Sequence, residues 1–115
     1  MTLPPADLAL IEQYCAAGSP AEFADRARLE CDVKGSAVDI VEATRMDADF
    51  GGGWLRVPAA RLSYSAATGS WTLYCFDRDS RPQRYDLWEP DFVQPGTVAE
   101  ILAEIEADPT EIFWG

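Results

Sequence analysis

Histidine is absent from all 115 residues, and lysine occurs once, at Lys34. Without an imidazole the chain cannot build a Ser–His–Asp triad, a Cys–His nucleophile or a zinc site with a histidine ligand. Cysteine is scarce as well. Cys15, Cys31 and Cys75 are far apart, odd in number and form no C-x-x-C pair, so they fall short of a four-cysteine metal site unless subunits share one. They read as small buried hydrophobes in a reducing compartment. No apolar run approaches the roughly 20 residues that cross a bilayer. The head of the chain, Met1 to Asp7, lacks the basic and apolar regions of a signal peptide. A cytoplasmic protein without membrane attachment is therefore expected.

Bases are missing from both flanks. Met1 to Asp25 holds four acids (Asp7, Glu12, Glu22, Asp25) and no base, and Glu89 to Gly115 holds seven acids and no base. All nine bases lie between Arg26 and Trp88, against nine acids there, and the net charge is −11. The sequence pI is about 4.2. Such a field opposes a phosphate backbone and an anionic membrane, both of which attract clustered Lys and Arg. It favours a basic protein partner. The plainer reading of the same charge is solubility, from solvated helix faces.

What is present is enough for one folded domain over residues 1–115, since hydrophobic residues make up 48% of the chain. Leu8, Ile11, Tyr14 and Cys15 form one helical stripe within Ala6 to Ala17, stopped by Gly18. Ser19-Pro20-Ala21-Glu22 has the form of a capping box, which predicts a short second helix to about Arg26. The period then changes to two. Arg28 to Lys34 alternates apolar and charged residues, as in a half-buried strand with Leu29 and Val33 toward the helices. Further strands are predicted over Ala37 to Thr44, Arg56 to Ser65, Trp71 to Phe76 and about Arg84 to Trp88, with turns at Gly35-Ser36, Thr68-Gly69 and Asp77 to Pro82. A second capping box, Thr97 to Glu100, opens a helix with Val98, Ile101, Leu102 and Ile105 on one face and Glu100, Glu104 and Asp108 on the other. Pro109 ends it, and the apolar tail Ile112-Phe113-Trp114 should fold back onto the core. The fold class is α+β: N-terminal helices, a five-stranded antiparallel meander and a C-terminal helix packed on one face.

Several of these segments carry a resemblance. Leu62 to Tyr74 (L-x-Y-x3-T-G-x-W-T-L-Y), Asp77-Arg78-Asp79, Arg84-Tyr85-Asp86, Arg28 to Val33, Asp49 to Trp54 and the ending Ala103 to Gly115 together resemble a family of small bacterial proteins catalogued as domain of unknown function 3024. The resemblance implies a fold and no reaction. Cys75 and Pro82 stand where relatives tend to carry Trp, and Gln83 where they tend to carry His, so any role of that imidazole would be lost here.

Motifs for chemistry are few. Asp47-x-Asp49-x-Gly51-Gly52 imitates the opening of an EF-hand loop, but its twelfth position is Pro58 and not a bidentate Glu. Gly51-Gly52-Gly53 lacks the Lys and Ser/Thr of a phosphate loop. Asp77 and Asp79 share a turn with Arg78, where Asp usually bonds its own backbone. No catalytic residue, cofactor or metal site is expected. Strand alternation puts Trp71, Leu73 and Cys75 on one face and Thr72, Tyr74 and Phe76 on the other. Tyr64 and Tyr85 join one of these, and Arg61, Arg78, Arg81 and Arg84 interleave with the outward aromatics. The partner-binding residues are accordingly expected to be Tyr64, Tyr74, Phe76, Arg81, Arg84 and Tyr85 on the sheet, Glu100 and Glu104 on the acidic flank, and Trp114 in the tail.

The leading reading is a non-enzymatic interaction module, a homodimer or a subunit of an assembly, whose acidic flanks steer a basic partner. The alternatives are single-stranded nucleic acid or nucleotide binding on the aromatic/Arg face, and an acidic DNA mimic. Arg stems that merely cover aromatic rings explain the same face without a ligand.

Overall fold

Helix α1, Pro5–Ala17, carries the apolar stripe read from the sequence: Ile11 and Cys15 are buried, with Leu8 and Tyr14 packed beside them. The computed structural model describes residues 3–115. Met1 and Thr2, at the head of the segment read as lacking a leader, lie outside the described residues. After α1 come β1 (Ala27–Lys34), β2 (Ala37–Arg45), β3 (Trp54–Ser65), β4 (Ser70–Phe76), β5 (Pro82–Arg84) and α2 (Val98–Ala107). The five strands form one antiparallel sheet in chain order, so the meander and the α+β class hold.

Both helices pack on one face of this sheet. The core between them joins Ile11 and Cys15 of α1, Val38, Ile40, Ala60, Leu62, Trp71, Leu73 and Cys75 of the strands, and Val98, Ile101 and Ile105 of α2. The Thr97 hydroxyl accepts from the Glu100 N–H, and the Glu100 carboxylate accepts from the Thr97 N–H, so the expected capping box starts α2. The tail folds back as expected. Asp108 takes the N–H groups of Phe113 and Trp114 on its two oxygens, which drives Phe113 into the core.

Two elements differ from expectation. No second helix follows Pro20; residues 20–26 make consecutive turns. The Ser19 hydroxyl, which would have capped that helix, instead contacts the Cys15 carbonyl at 2.9 Å and accepts from the Leu29 N–H at 2.8 Å, tying the end of α1 to β1. A Ser side chain can serve either backbone, and here the strand wins it.

The fifth strand also stops early, at Arg84. Tyr85 turns inward to full burial, its ring 5.4 Å from Phe92 and 5.1 Å from Phe113, in a short 3-10 turn over Tyr85–Leu87. The gain from burying that ring outweighs continuing an edge strand to Trp88. Residues beyond the strand satisfy the edge of β4: Gly96 exchanges both backbone bonds with Trp71, and the Gln94 carboxamide bonds the N–H and C=O of Leu73. A smaller difference concerns β1. Leu29 and Cys31 do pack on the core, but Val33 lies beyond the reach of the helices and is exposed.

Candidate functional site

The sheet face turned away from the helices carries a row of direct cross-strand partners: Asp32, Asp39, Arg61, Tyr74 and Arg84, one from each strand. Asp39 is buried, 1% exposed, and takes two bonds from Arg61 at 2.6 and 3.0 Å, with Lys34 at 3.2 Å. Arg56 reaches across to Glu30 at 2.7 Å and Asp32 at 2.8 Å. Arg84 bonds Asp86, and Arg81 bonds Asp79. The hydrogen bonds from Arg56 hold Glu30 below the usual carboxylate range, and those from Arg84 do the same for Asp86. Two arginines also lie over rings, Arg28 at 4.1 Å from the Trp54 centroid and Arg61 at 5.5 Å from Phe76. Val41 and Ala43 of β2 are buried, with Pro58 and Arg56 of β3 as their direct partners. The face is thus an ion-pair lattice in which the guanidinium groups of Arg56, Arg61, Arg81 and Arg84 already hold carboxylates.

The residues expected to act together are divided by the fold. Tyr74, Phe76 and Arg84 share the outer face, with Arg81 in the adjoining hairpin turn. Tyr64 is on the opposite face, its ring 5.1 Å from the core residue Trp71. Tyr85, expected on the exposed sheet, is in the core, where its hydroxyl donates to Glu104 at 2.6 Å. Burial, with that carboxylate beside it, raises the Tyr85 phenol above its ordinary pKa. Glu100 caps α2. Together with Glu89, Asp91 and Glu104 it lines an acidic depression of 430 Å³ beside Val93. Glu100 and Glu106 are exposed, yet Glu100, Glu104 and Glu106 each accept a hydrogen bond, from the Thr97 N–H, the Tyr85 hydroxyl and the Tyr14 hydroxyl.

Trp114 belongs to a different place again. Its indole N–H donates to the Ile105 carbonyl at 3.0 Å, and its ring helps to wall a groove of 870 Å³ between α1, α2 and the β1–β2 edge of the sheet. The lining is apolar: Tyr14, Phe23, Leu29, Leu102 and Trp114, with Ala17, Gly18 and Pro20 leaving space. Phe23 stands half out of the turn segment at 51% exposure. The polar groups at the groove are Glu42, Arg28, and Glu106, which accepts from the Tyr14 hydroxyl at 2.8 Å. Desolvation and that carboxylate hold Tyr14 un-ionised.

Residues 20–26 form turns and not a helix, and they leave Phe23 half-exposed at the groove. Sequence reasoning missed Phe23 for that reason, since a short amphipathic helix would have buried it. The available signal was a predicted helix carrying a single large apolar residue, too little for a core-facing stripe.

Among the described residues, no helix is long and apolar enough to cross a membrane, and no group of three or more acidic or cysteine side chains is arranged to hold a metal ion. No curated protein and no solved structure matches the chain. A family model described as Domain of unknown function (DUF3024) matches residues 2–115, and by that match over its length the chain belongs to this family.

Proposed function

We propose that the protein is a binding module that seats an apolar anchor of a basic polypeptide in the groove between α1, α2 and β1. One observation carries this reading: a concave, apolar, aromatic-lined groove of 870 Å³ opens on a chain of net charge −11. A mostly apolar cleft with a few polar groups at its rim is the usual form of a ligand site. Carboxylates crowd this rim. Glu42 and Glu106 line the groove, and Glu22 and Asp25 are exposed on either side of Phe23 in the turn segment. A lysine- or arginine-rich flank on the partner meets these charges, which speeds association and rejects acidic competitors. A second copy of this chain fits poorly, because it brings −11 against −11. That argues against a homodimer through this surface.

The alternative, single-stranded nucleic acid stacked on Tyr74 and Phe76, draws less support. Of its four arginines, Arg61, Arg81 and Arg84 are each bonded to a carboxylate of the same chain, so phosphate would have to displace internal ion pairs at all but Arg78. An acidic DNA mimic would share the charge but leave the groove without a role.

The test uses a synthetic amphipathic peptide of leucine and lysine, with its leucine–glutamate counterpart as control, titrated into 15N-labelled protein. The lysine peptide should move the amides of Phe23, Leu29 and Leu102 and the Trp114 indole resonance, with affinity falling as salt rises. Phe23→Ala should weaken binding at least about tenfold, the factor that 1.4 kcal/mol represents. The triple variant Glu22→Gln, Asp25→Asn, Glu42→Gln should slow association. Equal binding of both peptides, or shifts confined to Tyr74, Phe76 and Arg84, would refute the groove.

A further inference from the structure

Two of the three cysteines meet. Cys15 is on the buried face of α1, one turn after Ile11, and Cys31 is on the core side of β1 opposite Ile40. Both side chains pack at the same turn of α1, the one that runs from Ile11 to Cys15. The Cys31 thiol also contacts the Ile11 carbonyl at 3.6 Å, which seats it against the turn of α1 that ends in Cys15. The backbone on each side is fixed by Ser19, whose hydroxyl bridges the Cys15 carbonyl and the Leu29 N–H. Cys75 is elsewhere, on β4, with its thiol toward the Gln83 carbonyl at 3.6 Å.

We infer that Cys15 and Cys31 are a latent dithiol that hydrogen peroxide converts into a disulfide stapling α1 to β1. Cys31 is the half-buried member and Cys15 the buried one, so peroxide reaches Cys31 first. The hydrogen bond from Cys15 lowers the Cys31 pKa, and the thiolate is the nucleophile in such a reaction. The same contact, together with burial, holds Cys15 as the thiol. The Cys31 sulfur attacks one peroxide oxygen. The O–O bond breaks, and the departing hydroxide takes a proton to leave as water, with Cys31 now a sulfenic acid. The Cys15 sulfur then attacks the Cys31 sulfur. An S–S bond forms, the S–O bond breaks, and the Cys15 proton leaves with the hydroxide as a second water. In sum, two thiols and one peroxide give one disulfide and two waters, with two electrons passing from sulfur to oxygen. A small-molecule thiol reverses the state by exchange.

This device does not depend on the groove having a ligand. It does act on the groove wall, because Tyr14 and Gly18 flank Cys15, Leu29 precedes Cys31, and all three line the groove.

The experiment treats the reduced full-length protein with hydrogen peroxide, blocks the remaining thiols with N-ethylmaleimide and maps the peptides by mass spectrometry. The expected product has a Cys15–Cys31 link, one maleimide on Cys75, and a Tm above that of the reduced form, all reversed by dithiothreitol. Cys75→Ser should give the same link. Cys15→Ser should stop at a sulfenic acid on Cys31 that dimedone traps. Three maleimides after oxidation, a link to Cys75, or a link only between two chains would overturn the inference. Because wild-type protein alone can give each of these results, an unstable variant does not protect it.

Discussion

Replacing Arg61 by Met separates a structural ion pair from a ligand-binding one. Arg61 gives Asp39 two hydrogen bonds, at 2.6 and 3.0 Å, and Asp39 is 1% exposed. Removing one partner of a buried pair costs about 3–5 kcal/mol, because the charge left behind has lost both water and counter-ion. Two features reduce that figure. Lys34 stays within 3.2 Å of Asp39, and the Arg61 side chain is itself 28% exposed. Met keeps much of the aliphatic stem. The expected loss is therefore about 2–3 kcal/mol, or about 8–12 °C in Tm, given an unfolding entropy of roughly 2 cal/mol/K per residue in a chain of this length.

Urea unfolding of the parent, Arg61→Met, Asp39→Asn and the double variant measures it. The double variant should be less damaged than the two single losses added together, with a coupling of about 1.5 kcal/mol or more. If Arg61 were held out for a phosphate and not for Asp39, Arg61→Met would stay within about 0.5 kcal/mol of the parent and the cycle would be additive. Either result would refute the view of the outer sheet face as an internal ion-pair lattice.

The seam between α1 and β1 offers a second check: a Cβ at Gly18 would collide with the Leu29 side chain. Gly18→Ala should destabilise the parent yet be nearly neutral in a Leu29→Ala background, whose own cost should be only about 1–2 kcal/mol because Leu29 is half-buried; additive thermal melts would contradict this. A third concerns pH. Glu30, Asp77, Asp86 and Glu100 are held below the usual carboxylate range by hydrogen bonds from Arg56, from the Arg81 backbone N–H, from Arg84 and from the Thr97 backbone N–H respectively. Their contribution is present above the unfolded carboxylate pKa of about 4 and lost as pH falls through the lower folded values. Tyr14 and Tyr85 are raised by burial, so their contribution is complete below the ordinary phenol pKa of about 10 and lost as pH rises beyond it. Urea midpoints against pH should form a plateau from about 5 to 10 that falls at both ends, and a midpoint still climbing below pH 4 would contradict it.

Elements set by local chemistry were legible in the sequence. The capping box at Thr97, the stop at Gly18, the turns at Gly35 and Gly69 and the alternation of β4 each depend on residues within a few positions, and each lies where the pattern placed it. Failures began where a side chain had two possible uses. Ser19 reads equally as an N-cap and as a tie to a later strand, and only the position of Leu29 decides. Tyr85 continues a period-two pattern, but its place is set by Phe92, Phe113 and Glu104, which local pattern cannot see. Register decided the outer face. Tyr64 and Tyr74 lie on opposite faces because Arg61, and not Tyr64, is the partner of Tyr74.

The acidic flank shows the same limit and also indicates where the electrostatic reading should be tested. Read locally, Glu100, Glu104 and Glu106 are a solvated helix face that can be neutralised without harm to the fold. In the fold Glu100 holds the cap of α2, Glu104 the buried Tyr85 hydroxyl, and Glu106 the Tyr14 hydroxyl from the other helix. Neutralising all three would lower stability and association together and so could not tell steering from unfolding. Among the described residues, Glu22, Asp25 and Glu42 are exposed and make no side-chain hydrogen bond or ion pair. They bracket Phe23 in sequence or line the groove directly. Carboxylates without an internal partner keep their full field for an approaching cation. Three carboxylates that are free to steer therefore stand at or beside the apolar groove that a basic partner could enter.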